Sequence, residues 1–217
     1  MAWFKCIGSI QGGGTNVSKT VLISETDFAN LSQKESDTLY EVWHDGTKGS
    51  QVLKRYIGND RITRKGDISD YEFWYEDVCC TNKDAEAVPL SISWNDFISR
   101  DWQLEFNSNT YITSSESCIF GSDSDGVLEI YYSSAHNLCI YGWGPDIGIS
   151  GCENQDIKIV YDHTNNECNV YKNDTLVQTF TPNSKSSNLN LRLFSYKQNN
   201  NYVYNGIVKY IGFKWLD

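Results

Sequence analysis

The run of residues 156–182, DIKIVYDHTNNECNVYKNDTLVQTFTP, constrains the fold more tightly than any other part of the chain. Ile157, Ile159 and Tyr161 alternate with Asp156, Lys158 and Asp162, the period of two expected of a strand with one face in a core and the other toward water. The polar loop 163–166 turns the chain, and 167–172 reads as the return strand. Asn173 and Asp174 tolerate the positive φ that a tight hairpin requires, and 175–181 forms a third strand that Pro182 ends. Three adjoining strands of this kind make an antiparallel sheet whose apolar face needs a second layer.

The same pattern fills the rest of the chain beyond Asp67. Strands are expected at 71–75, 88–94, 102–106, 111–113, 117–121, 127–133, 137–143, 189–196 and 207–215, separated by clusters of Asn, Asp, Ser and Gly. About a dozen short strands with almost no helix predict an all-β, antiparallel two-sheet jelly-roll sandwich over residues 67–217. Its final strand is expected to return beside an early one, which hides sheet edges.

Upstream the text differs. Residues 1–19 are an apolar tip and a Gly-rich linker, with Trp3 and Phe4 expected to pack against a neighbouring subunit or the chain's own fold. Residues 20–66 read as a small α+β module. It holds a strand at 21–24, a helix at 25–32 carrying Phe28 and Leu31 with Ser24 as N-cap, and a hairpin of strands 38–44 and 51–58. A short tail follows around Arg61, Ile62 and Thr63.

Two resemblances rest on particular residues. The phrase formed by Phe28, Leu31, Asp37, Thr38, Leu39, Tyr40, Val42, Tyr56, Gly58, Asn59 and Ile62 resembles a small module of tailed-phage structural proteins. That resemblance implies a connector or oligomerisation piece, with Leu39, Tyr40 and Tyr56 as assembly residues. The hairpin phrase 169–177 and the closing LRLFSY…YNGIVKYIGF text resemble laminin-G-like (concanavalin A-like) jelly rolls, with Asp174 standing where Gly is usual. This second resemblance speaks to fold far more than to activity.

Composition excludes several functions. The chain has 217 residues, 40% hydrophobic and 14% aromatic, enough to bury a core, and a formal charge of -10. That excess, with positive charge concentrated only in 54–65 and diluted there by Asp60, argues against a nucleic-acid partner. The sequence shows no membrane span, and its first ten residues lack the pattern of a signal peptide. Seven cysteines without C-x-x-C or H-x-x-H spacing suggest free thiols in a reducing compartment rather than a zinc site.

Catalytic spacing is missing. The E-x-D-x-x-E array of glycosidases that share the jelly roll does not occur; Glu153 and Asp156 are three apart, and Glu129 stands alone on its strand. His44, His136 and His163 lack a nucleophile context, and Gly12 to Gly14 lacks the Lys of a phosphate loop. No enzyme activity is expected. Asp123 and Asp125, at alternate positions before Gly126, are calcium candidates, and no other cofactor is expected.

A binding face is the more credible element. Tyr131, Tyr132, His136, Tyr141, Trp143, Asp146 and Asn154 fall in or beside loops and could combine an aromatic platform with orienting polar groups for a glycan. Trp143, between two glycines, reads as a surface-loop residue. The resemblances lead to a bacteriophage virion structural protein, in a tail fibre, baseplate or head fibre, made in the host cytoplasm without a signal peptide. Its partners would be other virion proteins, further copies of itself and a host-surface glycan, with no nucleic acid or membrane. Self-association is expected because the small module is short of core. The alternative is a stand-alone carbohydrate-binding module of a gut bacterium, and a third reading is a polysaccharide-degrading enzyme.

Overall fold

A computed structural model describes residues 17–45, 51–80, 87–111, 117–124, 127–145, 147–183, 189–195 and 204–216. Trp3 and Phe4 lie outside the described residues.

The described residues open with β1 (Lys19–Ser24), α1 (Glu25–Asn30), β2 (Thr38–Trp43), β3 (Val52–Ile57) and β4 (Asp60–Ile62), whose strands form one four-stranded sheet in the order β1-β2-β3-β4. β1 and β2 run parallel, so the chain must cross over between them, and α1 forms part of that crossover. Ser24 starts the helix as expected: its Oγ accepts from the Asp27 N–H at 3.0 Å, and Glu25 and Asp27 place negative charge in the first turn.

α1 is too short to persist alone and is held by its aromatic face. Phe28 packs on Tyr40 and Tyr56, with ring centroids 5.4 and 4.6 Å apart, and these two tyrosines are cross-strand neighbours on β2 and β3. This corrects the assembly reading of Leu39, Tyr40 and Tyr56. Tyr40 and Leu39 are buried, and Tyr56 is stacked under the chain's own helix, because a short amphipathic helix needs that apolar surface itself.

The small sheet also leans on the rest of the chain. Leu53 of β3 is buried in the same cluster as the sandwich core, and Arg55 Nη1 donates to the Glu76 carbonyl at 3.1 Å. The shortage of core that suggested an oligomer is therefore met in part within the chain. Glu76 anchors the connecting segment: its carboxylate accepts from the Thr63 hydroxyl at 2.8 Å, the Arg64 N–H at 2.9 Å and the Trp74 indole N–H at 2.7 Å.

The sandwich follows the all-β expectation. It comprises β5 (Phe73–Cys79), β6 (Val88–Ser93), α2 (Trp94–Ser99), β7 (Trp102–Thr110), β8 (Ser117–Ser122), β9 (Glu129–Tyr132), β10 (Leu138–Tyr141) and β11 (Ile147–Ile149). Then come β12 (Ile157–Asp162), β13 (Glu167–Lys172), β14 (Thr175–Phe180), β15 (Asn190–Leu193) and β16 (Gly206–Trp215). One six-stranded antiparallel sheet, here the hairpin sheet, has the order β14-β13-β12-β7-β16-β5; the opposite sheet has the order β11-β10-β9-β8-β15-β6. The β13–β14 turn has Asn173 at φ 49° and Asp174 at φ 60°, the two positive values the hairpin demanded. The closing strand β16 lies between β7 and β5, joining the last strand of the chain to the first of the sandwich.

Between the sheets Trp94, Phe97, Trp102, Phe120, Trp143 and Phe213 form an aromatic centre with tight ring contacts, among them Phe97–Trp102 at 4.4 Å. Three elements depart from the sequence expectation. β7 runs unbroken to Thr110, through the loop expected after 106, and Tyr111 lies outside it. α2 replaces the end of a strand expected to reach Trp94: Ser93 Oγ caps it, accepting from the Asp96 N–H at 3.1 Å, and Trp94 and Phe97 turn inward. β11 arises from 147–149, too short to stand out beside the Gly-Pro turn before it.

Candidate functional site

The residue type least expected inside a sandwich is a charged one, and the opposite sheet carries charge on its outer face. In β15 Leu191 and Leu193 are fully buried between the sheets, so alternation turns Arg192 to the outer face. Cross-strand register extends a single row from it: Arg192 opposite Gly121 of β8, Gly121 opposite Glu129 of β9, and Glu129 opposite Tyr141 of β10. With strands about 4.8 Å apart, the row spans about 14 Å. The next row holds Cys118, Tyr131, Cys139 and Gly148.

The face grades from sunken to open. Glu129 is 3% exposed and the Arg192 side chain 14%, while Tyr131 is half-buried and Tyr141 is 41% exposed. Tyr131 and Tyr141 are diagonal neighbours on adjacent strands, close enough to present two phenol rings to one ligand. The arrangement offers a partly exposed guanidinium and two aromatic rings from a rigid sheet, with the Glu129 carboxylate buried behind them. That set suits a polar ligand with an anionic group and an apolar ring face.

The sequence expectations divide sharply on this face. Tyr131 and Tyr141 lie on it. Tyr132 does not: it is fully buried, its hydroxyl 3.2 Å from Ser108 Oγ, and burial pushes the phenol well above its ordinary range. Trp143 is a correction too. It is 2% exposed and packs against Trp94, Phe97, Trp102, Tyr161 and Phe180, with centroid distances from 5.0 to 6.5 Å. The flanking glycines serve that burial: Gly142 turns the chain at φ 83°, and a Cβ on Gly144 would come within 2.6 Å of the Phe180 ring.

His136 and Asn154 belong to a separate loop cluster. His136 Nδ1 is 3.1 Å from Glu153 Oε1, which also accepts from the Thr110 N–H at 3.2 Å, and the Asn154 N–H donates to Ser108 O at 2.8 Å. These bonds fasten the loop after β11 to the end of β7. Asp146 lies outside the described residues.

Of the calcium candidates, Asp125 lies outside the described residues. Asp123 turns to β15: its Oδ1 accepts from the Asn190 N–H at 3.3 Å, and its Oδ2 is 4.0 Å from Arg192 Nη2. Among the described residues no group of three or more His, Cys, Asp or Glu side chains is placed to hold a metal ion.

Glu129 and Arg192 were not singled out as binding residues. A signal was present in the LRL text, where an arginine alternates with two leucines and so must leave the core on the opposite face. Pairing Arg192 with Glu129 needs the order β9-β8-β15, which brings together strands more than sixty positions apart and which local pattern cannot supply.

No protein-family model and no curated protein matches the sequence. The chain is similar in fold to the CBM40 module of the Ruminococcus gnavus IT-sialidase solved with α2,3-sialyllactose bound, at TM-score 0.51 and 12% identity, covering 66% of this chain and 91% of that one. A second structure of that module aligns at TM-score 0.50 and 10% identity, covering 66% and 92%. The likeness is one of fold, and it agrees with a concanavalin A-like sandwich.

Proposed function

We propose that the protein is a glycan-binding module that holds an acidic sugar on the outer face of its opposite sheet without transforming it. The observation that carries this reading is the cross-strand row Arg192, Gly121, Glu129 and Tyr141, with Tyr131 beside it. Arg192 supplies a planar, permanently charged donor for a carboxylate, Glu129 lies buried behind the row, and the two tyrosines cover an apolar ring face. The likeness to a module solved with sialyllactose bound supports the choice of ligand class. It also favours the carbohydrate-binding module over the virion structural protein expected from the sequence phrase, since an adhesive sandwich needs no particle to act.

The test is a glycan array followed by isothermal titration of the purified chain. Sialylated glycans are expected to bind, with Tyr141→Ala weakening binding about 3- to 10-fold, the worth of one aromatic contact, and Arg192→Lys weakening it further. Wild-type protein that binds no acidic glycan, or binds unchanged after both substitutions, would remove this reading. Release of product from a sialylated substrate would move the protein to the enzymes.

A further inference from the structure

Asp123 sits just past the end of β8, where the strand pairing with β15 closes. Its N–H donates to Asn190 O at 3.0 Å while its Oδ1 accepts the Asn190 N–H at 3.3 Å, so backbone and side chain clamp the same residue of β15. Two positions along β15 is Arg192, whose Nη2 lies 4.0 Å from Asp123 Oδ2. Both side chains are largely shielded, 14% and 15% exposed, which limits solvent screening between them. The cross-strand neighbour of Arg192 on β8 is Gly121.

We propose that Asp123 is a positioning residue, which fixes the direction in which Arg192 presents its guanidinium to an acidic glycan. The inference rests on the glycan-binding reading and extends it to a residue that need not touch the ligand. Long arginine side chains have many rotamers, and an anchored guanidinium loses fewer of them on binding. The same geometry disfavours the calcium role suggested by the spacing of Asp123 and Asp125. A divalent cation at Asp123 would sit within a few ångströms of a guanidinium and be repelled by it.

Isothermal titration with α2,3-sialyllactose tests the proposal on wild type, Asp123→Asn, Asp123→Glu, Arg192→Lys and the Asn/Lys double variant. Asp123→Asn is expected to weaken binding about 3- to 10-fold, with Asp123→Glu recovering part of the loss. The double variant is expected to bind no more weakly than Arg192→Lys alone, because the first residue acts through the second. A chelator is expected to leave wild-type binding unchanged. Wild-type affinity in Asp123→Asn, additive losses in the double variant, or chelator-sensitive binding restored by calcium would each overturn the proposal.

A second readout needs no ligand. In ¹⁵N spectra the Arg192 Nε–H resonance is expected to shift or broaden in Asp123→Asn, and an unchanged resonance would overturn the positioning role. Wild-type protein that ignores sialyllactose while this resonance responds would refute the glycan reading and leave Asp123 as the residue that orients Arg192.

Discussion

Truncating Trp143 separates a core residue from a ligand platform. The indole is 2% exposed and sits among five aromatic rings drawn from α2, β7, β12 and β14, so it packs between α2 and the hairpin sheet. Replacing a buried Trp by Ala removes its transfer free energy and leaves a void that neighbouring rings fill only partly, a loss of about 3–5 kcal/mol. For a chain of this length each kcal/mol lowers the melting temperature by about 2–4 °C, so Trp143→Ala should melt about 6–20 °C below wild type. Trp143→Phe, which keeps a ring in the site, should lose much less. The assay is thermal unfolding followed by near-UV circular dichroism, repeated in urea to confirm the midpoint order. A Trp143→Ala protein that melts within a degree of wild type and has lost only glycan binding would show that the ring faces a ligand, and the account of the core would be wrong.

Other perturbations test other parts of the fold. A Cβ on Gly212 would lie 2.2 Å from the Trp74 ring, which stacks on Tyr210 at 5.3 Å; Gly212→Ala should therefore destabilise by about 1–3 kcal/mol and alter tryptophan fluorescence. Ser93→Ala removes the cap of α2 and should lower stability in urea by about 1 kcal/mol without changing the fold. Burial raises the Glu76 carboxyl pKa, but donors from Arg64, Trp74, Thr63 and Lys65 outweigh it and hold the group below its ordinary 4.5. Its stabilising contribution is complete above pH 4.5 and is lost as pH falls through the lowered folded value. Glu76→Gln should therefore be less stable at pH 7 and show a flatter loss of stability in acid, which melts from pH 3 to 7 would reveal; parallel curves would refute the role given to Glu76.

The sequence is most legible where side-chain period and turn chemistry agree. The β12–β14 hairpin needed only alternation and Asn173-Asp174, and α1 only the Ser24 cap with Phe28 facing inward. α2 was hidden because Val88 to Ser93 alternates like a strand and the helix that follows is only six residues long, although Ser93 and Asp96 carried its capping signature. Trp143 misled for a physical reason: glycines beside a Trp suggest an exposed turn, yet here they let the chain fold the indole inward and let Phe180 approach. The binding face was half legible. Tyr131 and Tyr141 announce themselves within one hairpin, whereas Arg192 joins them only through strand order, a long-range property of the sheet.

The place and class of ligand binding can be read together by titrating ¹⁵N-labelled protein with α2,3-sialyllactose and mapping the amide shifts. A binding face on the opposite sheet predicts saturable changes concentrated at Glu129, Tyr131, Tyr141 and Arg192, with the outer face of the hairpin sheet unmoved. Shifts confined to the hairpin sheet or the small four-stranded sheet, or none at millimolar ligand, would contradict it.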